Sequence, residues 1–400
     1  MRRAMTAAAL AALVATPGLA QEVRVGSVAA VTGPIAELVA PIVAGRNLAA
    51  SHVNEQGGLL DGREMTLILA DGQCDPKAGV DAGEKVVSVE QVVAVVGASC
   101  SGETNGMVQA VTIPAGVVSI SDSATAPSIT ELDDNDLVFR TAASDAYQGA
   151  ALAKLAWSEG FRKLAVTYAN DDYNAGIAEV FAEAFTGMGG EITAQQAHEP
   201  NKASYRSEVQ TLSGGDPEGM ALFAYYGGSG ITIIRNALET GAFAKFLGAD
   251  GMYDVAVIEQ IGAENLVGNV MFTAAAADPE NDSYPRFAEA YSAATDFDPG
   301  APYASQGYDA AFLIALAIEK AGAPDRALIS AALREVANPP GEVIRPGEWE
   351  KAKALIAAGE DINYEGASGS VDFDENGDVP GFYSVSRVGE DGKYHLDYIR

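Results

Sequence analysis

The chain of 400 residues has 25 Lys and Arg against 55 Asp and Glu, a formal net charge of −30 at pH 7. This balance excludes unaided nucleic-acid binding, because a polyanion needs a basic surface to neutralise its phosphates. A hydrophobic content of 48% with only 20% charged residues excludes a disordered chain, and the length predicts more than one domain.

The N-terminus has the pattern of a signal peptide. Arg2 and Arg3 precede a short apolar run at residues 7–14, and small residues at 17–20 precede Gln21. A basic start, an apolar run and a small-residue site are typical of cleaved export signals. We therefore expect export, with cleavage near Ala20 and Gln21. Beyond this point no stretch approaches the roughly 20 consecutive apolar residues of a membrane span.

The next part of the chain alternates predicted strands with predicted helices. The strands are predicted at residues 23–31, 65–70, 92–96 and 117–120, and the helices at 34–53, 76–89 and 102–111. Because these strands are apolar on both faces, we expect a parallel sheet covered by helices.

A second series of the same kind begins after residues 139–141. Its helices are predicted at 147–159, 175–188, 204–212 and 231–240, and its strands at 163–168, 191–195, 220–225, 246–248 and 269–275. We find no low-complexity linker between the two series, so two α/β domains in close contact are expected. The cleft between them is then the default ligand site.

The last part of the chain is predicted to add helices at residues 284–295, 305–321 and 328–336. The tail predicts two strands, 370–378 and 383–388, joined by a turn at Asn376-Gly377. Residues 372–377 also match the first half of a calcium loop, but Tyr383 stands where that loop needs a bidentate Glu. We therefore favour the hairpin. The segment 345–366, which contains Trp349, is expected to be a surface elaboration.

The sequence contains no pattern for catalysis. The G-x-S-x-G, P-loop and dinucleotide patterns are absent. The three histidines, His52, His198 and His395, stand alone, without the pairing that zinc or a base relay needs, and we expect surface positions for them. These observations predict recognition rather than a reaction: no enzyme, no cofactor and no metal site.

The two cysteines, Cys74 and Cys100, each follow a predicted strand and lie 26 residues apart. An even count in an exported chain predicts a disulfide, with two free thiols as the alternative. A loop of this length would contribute on the order of 3 kcal/mol.

Polar residues follow the strands of both series. Residues 97–102 and 121–127 follow strands of the first series with several Ser and Thr side chains, which could donate to a carboxylate, although simple helix caps would look the same. In the second series Tyr173 and Asp250 follow strands, and a phenol with a carboxylate suits an ammonium group.

Together these features resemble the leucine/isoleucine/valine-binding protein family over nearly all of the chain after the signal peptide. The motifs that carry the resemblance are Thr32-Gly33-Pro34, Gly57-Gly58, Cys74-Asp75-Pro76, Val96-Gly97 with Cys100-Ser101, Ser123-Ala124-Thr125, Asp172-Tyr173, Tyr225-Tyr226-Gly227-Gly228 and Gly248-Ala249-Asp250-Gly251. The resemblance implies the type I periplasmic-binding-protein fold, α/β with two Rossmann-like lobes that close by a hinge. Three interlobe crossovers are implied near Arg140, Ala275 and Tyr383.

The implied lobes are 21–140 plus 276–381 for the first and 141–275 plus 382–400 for the second, after a signal peptide at 1–20. The resemblance also implies that Cys74 and Cys100 are bridged.

The resemblance further implies a ligand site. The ligand carboxylate would be bound by the hydroxyl of Ser101, the amide of Ser123, and the amide and hydroxyl of Thr125. The α-ammonium would be held by Tyr173 and Asp250. Ser229 would line the pocket near the ligand side chain. The chain departs from the family at two positions. Asp250 stands where the family often has Glu, and Leu38 stands where a large aromatic residue commonly covers the ligand.

The implied function is that of a periplasmic substrate-binding component of an ABC importer. It would act as a monomer and carry a branched-chain or other aliphatic amino acid to an inner-membrane permease with its ATPase subunits. One alternative is the same fold binding a non-amino-acid carboxylate, such as an aromatic acid, or an amide or urea. Another is a sensory module that acts on a partner after binding.

Overall fold

A computed structural model describes residues 22–278 and 280–399. The predicted signal peptide lies outside the described residues. Most of the described chain forms two sheets with helices packed on their faces, as expected from the alternation of apolar strands and helices. No helix among the described residues combines the length and apolar character that a membrane crossing requires.

The first sheet is entirely parallel and has the strand order β2-β1-β3-β4-β5. Its strands are β1 (Val23–Ala29), β2 (Met65–Asp71), β3 (Val95–Val96), β4 (Ser119–Ser121) and β5 (Val138–Arg140). Helices α1 (Ala36–Glu55), α2 (Pro76–Glu84), α3 (Ser101–Met107) and α4 (Pro127–Thr130) connect them, with π-helical turns at Lys85–Val89 and Val108–Thr112.

The second sheet has seven strands in the order β14-β13-β10-β9-β8-β6-β7. They are β6 (Lys163–Ala169), β7 (Glu191–His198), β8 (Gly219–Phe223), β9 (Phe246–Gly248), β10 (Val270–Ala276), β13 (Phe382–Val388) and β14 (Tyr394–Ile399). Strand β13 runs antiparallel to its neighbours β10 and β14, and the other neighbouring strands of this sheet pair in parallel. The helices of this part are α5 (Asp145–Ser158), α6 (Asp172–Gly187), α7 (Arg206–Leu212), α8 (Ile231–Thr240), α9 (Val255–Ile261) and α10 (Ala263–Leu266).

The chain moves between the two sheets three times. It leaves the first sheet after Arg140, leaves the second after Ala276, and re-enters the second at Phe382. The intervening helices are α11 (Tyr284–Ala294), α12 (Ala304–Ala321) and α13 (Arg326–Ala337). Helix α12 packs on α1 and on the first sheet, α11 packs on α1, and α13 packs on α12. Helix α12 is buried along most of its length, so it lies at the centre of the largest apolar core.

The hairpin predicted at Asn376-Gly377 is wrong. A turn does form there, with the Gly377 amide donating to Asp374 (3.1 Å), but the preceding residues form no strand. Asp378 instead forms an ion pair with the buried Arg140, and Phe373 packs edge-on against Phe139 (ring centroids 4.8 Å apart). The segment is therefore held by side chains against β5. The hairpin of the tail is β13 with β14, and the sequence pattern missed β14.

The segment 345–366 is not a surface elaboration. It carries α14 (Trp349–Ala358) and lies beside a small parallel pair, β11 (Glu342–Ile344) with β12 (Ile362–Tyr364). Trp349 is 0% exposed in the main core, and its indole donates to the carbonyl of Gly58 (3.2 Å). The segment therefore completes the core around α12.

Candidate functional site

A small cavity lies where the carboxyl ends of the strands of both sheets meet. It is lined by Ile35, Leu38, Ile42, Ser99, Ser101, Ser123, Tyr173, Tyr225, Asp250 and Tyr303. The lining contains no Lys, Arg or His, so an anionic group would have to be bound by hydroxyls and amides. This position is where open α/β sheets bind ligands.

The first sheet supplies Ser101 at the N-terminus of α3. Its Oγ accepts bonds from the amides of Thr125 (3.2 Å) and Ala126 (3.0 Å). Because both bonds use lone pairs of the oxygen, the hydroxyl proton remains available to donate to a ligand carboxylate. The same bonds hold the loop after β4 against α3.

A fully buried ion pair fixes this loop from behind. Arg46 binds Asp122 with two parallel bonds, Nε to Oδ2 (2.6 Å) and Nη2 to Oδ1 (2.8 Å), and both side chains are 0% exposed. A third bond joins Nη1 to the carbonyl of Val28 (2.9 Å). Asp122 precedes Ser123, whose hydroxyl donates to the carbonyl of Ser99 (3.0 Å).

Thr125 is arranged differently from the expectation. Its amide is bonded to Ser101, and its hydroxyl donates to Oδ2 of Asp145 (2.9 Å). With the proton committed to Asp145, the hydroxyl oxygen can only accept from a ligand. Thr125 therefore suits a donor such as an ammonium better than a carboxylate.

The second sheet supplies Tyr173, Tyr225 and Asp250. The two phenol rings stack with centroids 5.4 Å apart, and the amide of Gly251 donates to the hydroxyl of Tyr173 (3.3 Å). Asp250 is 5% exposed and accepts a bond from Nε2 of Gln148 (2.7 Å). Burial raises the pKa of Asp250, and hydrogen bonds from Gln148 and from the phenols of Tyr173 and Tyr303 oppose this shift. No Lys or Arg forms an ion pair with it within the part of the chain that the structure describes.

Ser229 does not line this cavity. It lies in the adjoining mouth of the cleft, beside Cys74, Cys100 and Asp172. Its hydroxyl is bonded to Nε2 of His198 (2.8 Å), and Nδ1 of that histidine contacts Thr167 Oγ1 (2.8 Å). The surface position expected for His198 is therefore wrong: it is 4% exposed, and burial lowers its pKa to about 4.

The cysteines at the mouth of the cleft are joined, as predicted: Cys74 and Cys100 form a disulfide. The bond ties the start of α2 to the residue before Ser101. Helices that belong to the two sheets also touch here, since the side-chain amide of Asn105 on α3 donates to Asp172 at the start of α6 (2.7 Å).

Three residues near this cavity were not found by sequence reasoning: Asp145, Gln148 and Tyr303. Asp145 and Gln148 lie one turn apart on α5. The one signal in the sequence for the start of this helix is Ser144, whose hydroxyl caps it. Tyr303 has a left-handed backbone (φ 63°) just before α12. Such strain in a non-glycine residue is common at functional sites, but it is not visible in the sequence.

No group of three or more His, Cys, Asp or Glu side chains within residues 22–278 and 280–399 could hold a metal ion. In particular, Asp374 in the calcium-like segment accepts bonds from the amides of Asn376 (2.8 Å) and Asp378 (3.0 Å), as expected for a turn.

Comparison with known proteins places these features in context. A family model described as periplasmic binding protein matches residues 22–393. The leucine-, isoleucine-, valine-, threonine- and alanine-binding protein of Pseudomonas aeruginosa is 27% identical over 96% of this chain and 94% of its own length. The chemotactic signal transduction system substrate-binding protein BasB of Halobacterium salinarum is 26% identical over 88% of this chain and 83% of its own length.

Solved structures share the fold. The leucine-binding protein LivK of Thermotoga maritima superposes with a TM-score of 0.79 at 24% identity, covering 94% of this chain and 99% of that one. A solute-binding protein from Rhodopseudomonas palustris in complex with benzoate superposes with a TM-score of 0.75 at 19% identity, covering 94% and 96%.

Proposed function

The chain belongs to the periplasmic binding protein family, and from this premise we propose that it is the substrate-binding component of an ABC importer for an aliphatic amino acid. The ligand would lie in the cavity between the two sheets, with its carboxylate toward Ser101 and its α-ammonium toward Asp250. The P. aeruginosa relative is named for branched-chain and other small amino acids, which supports this choice.

The observation that carries the proposal is the buried, unpaired carboxylate of Asp250. An ionised carboxylate out of water is costly unless a cation or several donors compensate it. Gln148 donates to Asp250, and the phenols of Tyr173 and Tyr303 favour its charged form, but all three groups are neutral. A ligand ammonium would supply both the missing charge and further donors, and the rings of Tyr173 and Tyr225 beside it suit a cation.

The opposite side of the cavity suits a carboxylate. Ser101 has a hydroxyl proton to donate, and the amide of Ser123 is the second donor we assign there. Thr125 is reassigned to the ammonium through its hydroxyl oxygen, because its proton is bonded to Asp145. Apolar residues Ile35, Leu38 and Ile42 would contact the ligand side chain. Leu38 is smaller than an aromatic residue and leaves more room there.

Ligand entry would require the lobes to open. We keep the lobe boundaries 21–140 plus 276–381 and 141–275 plus 382–400 as part of the proposal. The three connections between the sheets would act as the hinge, and contacts such as Asn105 to Asp172 would form on closure. Closure would present the surface that an inner-membrane permease recognises, and cleavage near Ala20 would release the chain into the periplasm.

A second candidate is the same fold binding an aromatic carboxylate. The rings of Tyr173, Tyr225 and Tyr303 around the cavity favour it, and a neighbour in fold carries benzoate. Asp250 opposes it, because an acid without a cation would leave that carboxylate uncompensated. The name of the H. salinarum relative also makes sensing, rather than uptake, a role to test in the cell.

The decisive experiment is a calorimetric titration of the refolded chain, freed of copurified ligand, with the proteinogenic amino acids, benzoate, short carboxylates, amides and urea. We expect binding of leucine, isoleucine, valine or a near neighbour, and loss of this binding in Asp250→Ala. Binding only of compounds that lack an ammonium group would overturn the amino-acid assignment while leaving the family and the fold intact.

A further inference from the structure

A second buried carboxylate, Asp145, lies beside the proposed ammonium site. Asp145 is the first residue of α5 and is 0% exposed. Its Oδ2 accepts from Thr125 Oγ1 (2.9 Å), and its Oδ1 has no hydrogen-bond partner in the part of the chain that the structure describes. One turn later on the same helix, Gln148 donates to Asp250. Helix α5 therefore connects the Thr125 loop with Asp250 through two adjacent side chains.

Acceptors are in excess around this point. Besides Asp145 Oδ1, the buried Oε1 of Gln148 has no partner among the described residues. Its Nε2 is fixed by bonds to Asp250 (2.7 Å) and to the carbonyl of Thr273 (3.2 Å), so the amide cannot be flipped without losing both. Buried polar atoms without partners are rare and usually indicate an absent partner. An ammonium group brings three donors and no acceptor.

The charges around Asp145 do not balance. Asp250 is the one carboxylate that raises its pKa electrostatically, in addition to burial, which is the larger cause. Arg140 is the one cation that opposes this shift, and its effect is smaller than that of Asp250. Its guanidinium is bonded to Asp378 (2.5 and 2.8 Å) and to the carbonyl of Ala126 (3.0 Å) instead of to Asp145. The remaining titratable groups that face the pair are the phenols Tyr173, Tyr225, Tyr303 and Tyr383, all of which stay neutral because burial raises their pKa values.

Two buried carboxylates that repel each other, with no free cation, are expected to share a proton. We infer that Asp145 and Asp250 act as a pair that holds one proton in the empty site and releases it to solvent when a ligand ammonium enters. This inference rests on the proposed function. It makes Asp145 a determinant of specificity, because a ligand without a cation would leave the proton in place and gain nothing from the second carboxylate.

Proton release can be counted directly. Leucine binding is titrated calorimetrically near pH 6 in two buffers with different ionisation enthalpies, and the difference in heat gives the number of protons released. If leucine does not bind, the amino acid that the panel above identifies takes its place. We expect close to one proton for the wild type. In Asp145→Asn we expect release to fall toward zero and the Kd to rise about 10- to 100-fold, as for loss of a hydrogen bond to a charged group.

Asp309→Asn is the matched control. Asp309 is also a buried acid, but its carboxylate accepts four bonds, two of them from the amides of Ala367 (2.7 Å) and Ser368 (2.8 Å), and it does not line the cavity. We expect unchanged Kd and proton release in this variant. If Asp145→Asn does not fold, Thr125→Val keeps both carboxylates and should keep the proton release while weakening leucine binding.

Each outcome decides the inference. A wild type that binds leucine without releasing a proton overturns it, as does Asp145→Asn with wild-type affinity and release, and the proposed function survives both results. A wild type that binds benzoate but no amino acid overturns the proposed function and the inference with it.

Discussion

Replacing Asp250 with Asn should stabilise the empty protein and reduce its stabilisation by ligand. The substitution keeps the size of the side chain, and its amide oxygen can still accept the bond from Gln148. What it removes is an acid whose charged form is penalised by burial. We therefore expect the ligand-free variant to gain about 1–3 kcal/mol in free energy of unfolding at pH 8, the range for a buried polar group whose hydrogen bonds do not fully compensate its desolvation.

The pH dependence of this gain has a definite sign. The pKa of Asp250 is raised above its ordinary value of 3.8 in the folded protein, so the folded state binds the proton more tightly than the unfolded state. Below pH 3.8 Asp250 is protonated in both the folded and the unfolded state, so it costs no stability relative to Asn. The free-energy cost of burying its charge appears as the pH rises through the folded pKa. The difference between variant and wild type should be small at pH 4 and largest at pH 8.

Ligand should reverse the order of stability. At a leucine concentration of 100 times its Kd, the wild type gains about 2.7 kcal/mol. Loss of the Asp250 contact should cost about 2–5 kcal/mol in binding, so the variant would gain less than about 1 kcal/mol at the same concentration. Urea unfolding followed by the fluorescence of Trp157 and Trp349 measures both quantities.

Asp122→Asn is the contrasting variant, because it makes the same change at a buried carboxylate that does have a cation. It leaves Arg46 buried without its ion-pair partner, and should cost about 3–5 kcal/mol with or without ligand. If Asp250→Asn lowered the stability of the empty protein at pH 8 as Asp122→Asn does, Asp250 would be a structural residue, and the reasoning that assigns it to a ligand cation would be refuted.

Three further predictions concern other parts of the molecule. His198→Gln should reduce the loss of stability on acidification from pH 6.5 to 4 by up to about 3 kcal/mol. The pKa of His198 is 6.5 in the unfolded chain and about 4 in the folded protein, so between these pH values the unfolded state binds a proton that the folded state does not. Urea unfolding at several pH values measures the effect, and equal pH dependence of variant and wild type would contradict it. Trp349→Ala should cost about 3–5 kcal/mol, seen as a lower urea midpoint, whereas a surface elaboration would tolerate the change. Cys74→Ser with Cys100→Ser should cost about 3 kcal/mol and weaken ligand binding, because Ser101 follows the tied residue; equal melting under oxidising conditions would argue against a structural role for the disulfide.

Much of the fold follows from patterns that are local in the chain. Apolar runs predicted the parallel strands of both sheets except β5, and the prediction of a helix at residues 231–240 agrees with α8 (Ile231–Thr240). The loops after those strands contain Ser101 and Asp250, which line one cavity, because the carboxyl ends of parallel strands share one edge of a sheet. Burial periodicity and turn chemistry act over a few residues, so a sequence can display them.

The tertiary structure alone decided which distant residues meet. Asp378 pairs with Arg140, so the segment around it does not form the hairpin that the local sequence predicted. Trp349 packs in the core around α12 and does not lie on the surface. In the site, Asp145 accepts a hydrogen bond from the hydroxyl of Thr125 and so changes what that hydroxyl can bind. Each of these contacts joins residues far apart in the chain or on different elements. The free energies of these contacts depend on interatomic distance, on burial and on which acceptor a given hydroxyl or amide donates to. None of these quantities produces a periodic pattern in the sequence.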